Sequence, residues 1–116
     1  MCIRDRSYTV PKDIRLLVQR AYDYNLSLPI AQRAAYKDDG DKRVQGTGMR
    51  TAKRLMSGVI DDAQLDLMIA WFARHAESPG EAEARQDKTS KAAIAWALWG
   101  GSPGYKWIKQ QKRANQ

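Results

Sequence analysis

The sequence predicts an all-α protein, a single compact domain of about five short helices around a Trp-rich central helix. Three observations support this fold class. Apolar residues recur three and four positions apart along most of the chain, which is the spacing that places side chains on one face of a helix. Residues typical of helix starts and stops separate these segments, and no segment alternates apolar and polar residues like a half-buried strand. A chain of 116 residues has room for one hydrophobic core, which excludes a second domain.

The first half of the chain predicts three helices, over about residues 11–25, 29–36 and 47–57. Pro11 favours the first start, because the first helical position needs no amide hydrogen. Between the second and third helices, residues 38–43 are charged around a glycine and predict an exposed turn. The third helix is expected to be capped by the Thr47 hydroxyl and stopped by Gly58.

The fourth helix has the clearest local signal. Asp61 is a favourable N-cap, and Gln64 three residues later completes the pattern of a capping box. Ile60 and Leu65 occupy the positions of a hydrophobic staple across the same helix start. The sequence therefore predicts a helix over about residues 62–76 with one apolar stripe.

The last third of the chain predicts the central helix and a basic terminal helix. Residues 81–88 are polar and of mixed charge, so we expect a surface linker, in part helical. Residues 90–99 are apolar on nearly every face, as expected for a helix buried on most sides. The Gly100-Gly101 pair stops this helix, because glycine adopts the left-handed conformation without strain, and a last helix follows over about 103–114.

The first six residues, MCIRDR, resemble the translation of a sequencing-library adapter and are excluded from the fold prediction. The expected domain is therefore residues 7–116. One Cys forms no internal disulfide, and one His without further Cys forms no zinc site, so neither a disulfide nor a metal is expected. No apolar run is long enough to span a bilayer, and we expect no membrane association.

The run SKAAIAWALWGG at residues 90–101, with Gly104 and Trp107 after it, resembles a helical module of uncharacterised tailed-phage proteins. That module occurs alone or at the start of head-associated proteins such as prohead proteases. Three upstream segments follow the family order, YTVPK, AKRLMSG and WFARH, so the resemblance covers roughly three quarters of the chain. Where the family commonly has Asp after the Gly-Gly pair, this chain has Ser102. The resemblance implies a phage accessory or virion-associated protein, located in the host cytoplasm or the virion, and implies no particular chemistry.

The positive charge is concentrated on two predicted helices. The chain has 20 Lys and Arg against 13 Asp and Glu. Cations three and four positions apart share one face of the third helix, and further cations share one face of the last helix, where no acid is expected to neutralise them. These faces predict sequence-independent contacts with nucleic-acid phosphates if they converge, and solvated surface if they diverge. The candidate residues are Arg50, Lys53, Arg54, Lys106, Lys109, Lys112 and Arg113.

An interaction with another protein is the alternative function. Aromatic side chains near the last helix, if exposed, would dock on a phage head component or a host protein. The residues expected to contribute are Tyr105, Trp107 and Trp71, and the first two are also candidates for stacking on bases. Trp96 and Trp99 are instead expected in the core, because they lie at helical spacing in an apolar run.

Catalysis is not predicted. His75 lies at the end of a helix, where a cation suits the dipole, and no nucleophile or metal partner is identifiable from spacing. Residues 46–48, Gly-Thr-Gly, lack the further glycines and Lys of a phosphate-binding loop, so a cap and hinge are expected there. The acids of residues 38–41 lack the pattern of a calcium loop and predict a solvated turn. We therefore expect a binding protein without a cofactor.

Overall fold

The computed structural model of the protein describes residues 7–76 and 78–114, and the adapter-like residues 1–6 lie outside this part. Helices make up most of the described chain: α1 Lys12–Ser27, α2 Thr47–Met56, α3 Asp62–Ala76, α4 Pro79–Ala84, α5 Lys91–Leu98 and α6 Gly101–Ala114. Four short strands accompany them: β1 Ser7–Thr9, β2 Tyr36–Asp39, β3 Lys42–Gln45 and β4 Val59–Asp61. The mostly helical, compact globule is confirmed, but the strict all-α class is wrong because the strands form two small sheets.

The predicted start and stop signals operate at α3, α5 and α6. Asp61 caps α3 by accepting a hydrogen bond from the Gln64 amide at 2.8 Å. Ser90 caps α5 in the same way, with its hydroxyl accepting from the Ala93 amide at 3.1 Å. Gly100 and Gly101 adopt φ of 117° and 68°, and α6 starts at Gly101, two residues before the expected position. The local sequence thus determines where these helices begin and end.

The helix expected over residues 29–36 is absent. Ile30–Gln32 forms only a short 3₁₀ turn, and β2 and β3 then pair as an antiparallel hairpin with Tyr36 opposite Gln45. Gly40 has a φ of 68° and occupies the first central position of the two-residue turn, where a type II′ hairpin requires glycine. The sequence gives no strand signal here because both hairpin strands are largely solvated, so neither shows apolar alternation.

The second sheet joins the start of the described chain to the α2–α3 connection. β1 pairs antiparallel with β4, with Tyr8 opposite Ile60 and both side chains buried. The amide of Val10 continues the pairing by donating to the carbonyl of Gly58 at 2.8 Å. Strands of three residues are too short to show a periodic pattern, so only the long-range pairing identifies them.

The core lies between α1, α2, α3, α5 and α6. Its fully buried larger apolar side chains come from each of these helices and include Val18, Met49, Leu55, Leu65, Met68, Phe72, Leu98 and Ile108. Trp99 is 3% exposed and belongs to this core, as predicted, whereas Trp96 is only half-buried. Within the described residues, no helix is both long and apolar enough to cross a membrane.

Candidate functional site

The cations of α2 are exposed and are not neutralised. Arg50, Lys53 and Arg54 all lie on the solvent side of the helix. Nη1 of Arg54 donates to Oε1 of Gln64 at 2.6 Å, and the same Gln64 donates to the Thr51 hydroxyl at 3.2 Å. The side chain of Gln64 is therefore engaged by α2. It does not form the reciprocal half of the capping box that the sequence predicts at the start of α3. These contacts orient Arg54 while leaving its positive charge without an acidic partner among the described residues.

The cations of α6 are also exposed, but one of them is paired. Nζ of Lys112 lies 2.8 Å from Oδ1 of Asp66 on α3, which corrects the expectation that this face has no neutralising acid. Nζ of Lys109 lies 4.3 Å above the ring of Tyr105. An exposed ion pair contributes about 0–1 kcal/mol, so a phosphate can replace Asp66 at small cost. Lys106 and Arg113 have no acidic partner in the described part of the chain.

The two basic faces reach α3 from different sides. Arg54 contacts Gln64, and Lys112 contacts Asp66. Two residues along an α-helix correspond to a rotation of about 200°, so these contacts lie on opposite sides of α3. The side of α3 between them is exposed at Ala63. The faces therefore do not merge into one continuous patch, and α3 separates them.

The aromatic residues proposed as partner contacts are largely engaged within the protein. Trp107 is 9% exposed, so burial removes it as a candidate for stacking on bases or docking on a partner. Tyr105 is half-buried, and its ring stacks on Phe72 with centroids 4.6 Å apart. Trp71 is sandwiched between Trp99 and His75, at centroid distances of 4.7 and 4.2 Å. These rings stabilise the packing of α3, α5 and α6 and leave little aromatic surface for a protein partner.

An open cleft of about 410 Å³ lies where α3, α4 and α5 approach the start of α2. Its walls are aromatic, and its charged groups are two arginines and the carboxylate of Glu81. The residues that line it are Ala35, Thr47, Gly48, Leu67, Trp71, Arg74, His75, Glu81, Arg85, Ala92, Ala95, Trp96 and Trp99. The sequence does not reveal this site because its residues come from distant segments, each of which has an ordinary structural explanation.

His75 is held in this cleft by a carboxylate. Its Nδ1 lies 2.7 and 2.9 Å from the two carboxylate oxygens of Glu81, so α4 is tied to the end of α3. Nδ1 donates in this pair, and Nε2 is then the acceptor in the neutral ring. The helix containing Glu81 starts at Pro79 and extends into the region expected as a linker, which explains why this partner was not foreseen.

The start of α2 differs from the predicted cap. Gly46, not Thr47, is the N-cap residue, and no side chain caps the helix. The Thr47 hydroxyl instead accepts a hydrogen bond from Arg50 at 3.3 Å. The first backbone amides of α2 consequently have no side-chain partner at the edge of the cleft.

The acidic and imidazole side chains do not assemble a metal site. Across residues 7–76 and 78–114, no three His, Cys, Asp or Glu residues lie close enough together to hold a metal ion. Oδ1 of Asp38 at the hairpin lies 3.6 Å from Nε of Arg43, so one acid of the predicted solvated turn is in a surface ion pair.

Compared with models of known protein families, with curated proteins and with solved structures, the chain matches none of them.

Proposed function

We propose that the protein binds nucleic acid without sequence preference through the basic faces of α2 and α6. It acts by binding rather than catalysis, as a small phage accessory or virion-associated protein in the host cytoplasm or the virion. The observation that carries this proposal is the exposure of all seven candidate cations, six of which have no acidic partner among the described residues. These are Arg50, Lys53, Arg54, Lys106, Lys109, Lys112 and Arg113.

The two faces do not converge as the sequence-based expectation of one phosphate-binding patch required, so a ligand that engages both must be an extended polyanion. Because α3 lies between Arg54 and Lys112, a ligand that contacts both must cross its exposed side. That side presents Ala63, Leu67 and Ala70. Of the acids beside it, Asp66 is paired with Lys112, and the exposed Asp61 accepts a hydrogen bond from the Gln64 amide. Regularly spaced backbone phosphates can engage both faces at once, whereas a single small anion can engage only one.

The character of the side chains supports contacts with phosphates rather than with bases. Lys and Arg contact phosphates regardless of sequence, whereas specificity requires hydrogen bonds to base edges or stacking. Trp107 is buried and Tyr105 is half-buried against Phe72, so neither offers an open ring face beside the α6 cations. Weak discrimination between sequences is therefore expected.

A salt series with the full chain tests the proposal. We expect single- and double-stranded DNA and RNA to bind at low salt and to dissociate as salt rises. The slope of log K against log salt is about −0.9 per phosphate contact for duplex DNA, so the slope counts the contacts. Absence of binding at low salt would overturn the proposal.

Charge reversal on α6 locates the interface. Replacement of Lys106, Lys109, Lys112 and Arg113 by Glu should weaken duplex binding at least 100-fold and reduce the salt slope, because each cation contributes about one unit. A control with the same change in net charge reverses Lys12, Arg20, Lys37 and Lys42, which are exposed on α1 and the hairpin. Equal loss in both variants would show that only net charge matters and would contradict an interface on α6.

The alternative, a module that docks on a head component or host protein, is an outcome of the same experiment. If the full chain binds no nucleic acid while retaining its fold by circular dichroism, the basic faces are solvated surface. Trp107→Ala does not distinguish the alternatives, since that ring is buried and its loss would injure the core. The α6 charge reversal distinguishes them, because it should abolish phosphate binding and leave docking through apolar surface largely intact.

A further inference from the structure

The start of α2 presents unpaired backbone donors to the cleft. Gly46 supplies no side chain to cap the helix, and the Thr47 hydroxyl is engaged by Arg50. The first amides of an α-helix have no intrahelical acceptor, and the helix dipole places partial positive charge there. Both Thr47 and Gly48 line the cleft.

A buried indole adds an independent donor at the same place. Trp99 is 3% exposed and lines the cleft, yet its Nε1 donates to no acceptor within the described residues. This nitrogen is not fully buried, so a ligand in the cleft can reach it. A Cβ at Gly48 would lie 3.2 Å from it, so the indole N–H lies beside the start of α2. This N–H therefore faces the cleft without a protein acceptor and is free to donate to a ligand bound there.

Two guanidinium groups complete the set of donors. Arg85 lies 4.0 Å above the ring of Trp96, and its Nη1 donates to the carbonyl of His75 at 3.2 Å, which holds the group in place. Arg74 is exposed and has no partner in the described part of the chain. The acidic residue among those lining the cleft, Glu81, is paired with His75. Donors and positive charge therefore predominate.

We propose that this cleft binds a small phosphate monoester, with the phosphate at the start of α2 and the organic part along the aromatic wall. Backbone amides at a helix start and guanidinium groups are the donors that bind phosphate oxygens best. Leu67, Trp71 and Trp96 line an apolar wall. Because Trp99 and His75 cover the faces of Trp71, the organic part contacts Leu67 and ring edges and does not stack between open ring faces. The cleft volume of about 410 Å³ suits a nucleoside monophosphate. This site does not include the seven cations of the proposed nucleic-acid interface.

The probes are adenosine monophosphate, adenosine and inorganic phosphate, titrated into the full chain. Calorimetry measures affinity, and fluorescence reports the site because Trp71, Trp96 and Trp99 line it. We expect the monophosphate to bind at least tenfold more tightly than adenosine, with inorganic phosphate competing. Equal binding of adenosine and the monophosphate, or no binding of either, would overturn the proposal.

Arg74→Gln and Arg20→Gln form a matched pair, since both arginines are exposed and only Arg74 lines the cleft. Loss of a charged hydrogen-bond donor should weaken monophosphate binding about tenfold in the first variant, and the control should bind within twofold of the parent. Equal weakening of monophosphate binding in both variants would mean that the anion responds only to the net positive charge of the protein, and it would contradict the proposed site.

Trp99→Phe tests the indole donor separately. It should weaken the monophosphate about tenfold and leave adenosine unaffected, with folding checked by circular dichroism. If Trp99→Phe folds and binds the monophosphate like the parent, the indole N–H is not a ligand contact and the proposed placement is wrong. Duplex binding by Arg74→Gln should remain within twofold of the parent, so failure of this site and failure of the nucleic-acid interface are distinguishable.

Discussion

At the scale of single residues, Asn25 shows how a polar side chain organises the core. It is fully buried on α1, and its amide group makes both hydrogen bonds that the backbone of Ala34 requires. Nδ2 donates to the Ala34 carbonyl at 2.9 Å, and Oδ1 accepts from the Ala34 amide at 2.9 Å. Ala35 follows with a φ of 60°, an uncommon value for a residue with a side chain. Asn25 therefore holds the connection between α1 and the hairpin in one conformation.

Replacing Asn25 by Ala should lower the free energy of unfolding by about 2–4 kcal/mol, because it leaves a buried amide and a buried carbonyl without partners. Urea unfolding monitored by tryptophan fluorescence measures the change. Gln19→Ala is the control, since Gln19 makes a hydrogen bond to Asp23 only at the surface. A loss at Asn25 no larger than at Gln19 would show that the connection does not depend on these hydrogen bonds.

At the scale of elements, a short turn prepares the start of α5. The carboxylate of Asp87 accepts hydrogen bonds from the side chain and backbone of Thr89 at 2.7 and 3.0 Å, which hold the pKa of Asp87 below its ordinary value. The amide of Ser90 donates to the Asp87 carbonyl at 3.0 Å. Ser90 is thereby placed to cap the helix that contains Trp96 and Trp99.

Two serines at N-cap positions should respond differently to substitution. Ser90→Ala should lower the free energy of unfolding by about 1 kcal/mol, because its hydroxyl caps the Ala93 amide. Ser78→Ala should change it by less than about 0.5 kcal/mol, because Ser78 precedes α4 without a side-chain capping bond. Thermal unfolding of both variants followed by circular dichroism checks this, and similar effects would contradict the assignment of the Ser90 cap.

At the scale of the whole molecule, Phe72 joins three helices into one core. It is fully buried, stacks on Tyr105 of α6 at 4.6 Å and meets the ring of Trp96 of α5 edge to face at 4.8 Å. The same cluster of rings forms the wall of the cleft through Trp71 and Trp96. Core stability and the shape of the cleft therefore depend on the same packing.

Phe72→Ala should lower the free energy of unfolding by about 3–5 kcal/mol. This is a large share of the total free energy of unfolding of a typical domain, which is about 5–15 kcal/mol. Chemical denaturation measures this, with Leu16→Ala on the exposed side of α1 as the control. Fluorescence and circular dichroism should report one midpoint for the parent, as expected for one cooperative unit. A small loss for Phe72→Ala would mean that the aromatic cluster contributes little to stability.

The range over which each interaction acts explains which features of the fold the sequence could predict. The sequence alone determined most helices and the ends of α3 and α5, because capping groups, Gly100-Gly101 and periodic apolar residues act over a few neighbours. It also identified the two basic faces and the core position of Trp99. It did not reveal the hairpin at Gly40, whose strands are solvated and lack an apolar pattern.

Only the tertiary structure decided how distant segments combine. It placed Asp66 beside Lys112, buried Trp107, and set α3 between the basic faces. It also brought the start of α2, two arginines and the Trp99 indole around one cleft. Local sequence encodes which face of a helix is apolar or charged, whereas the packing of the core determines what that face meets, and no short-range pattern contains that information.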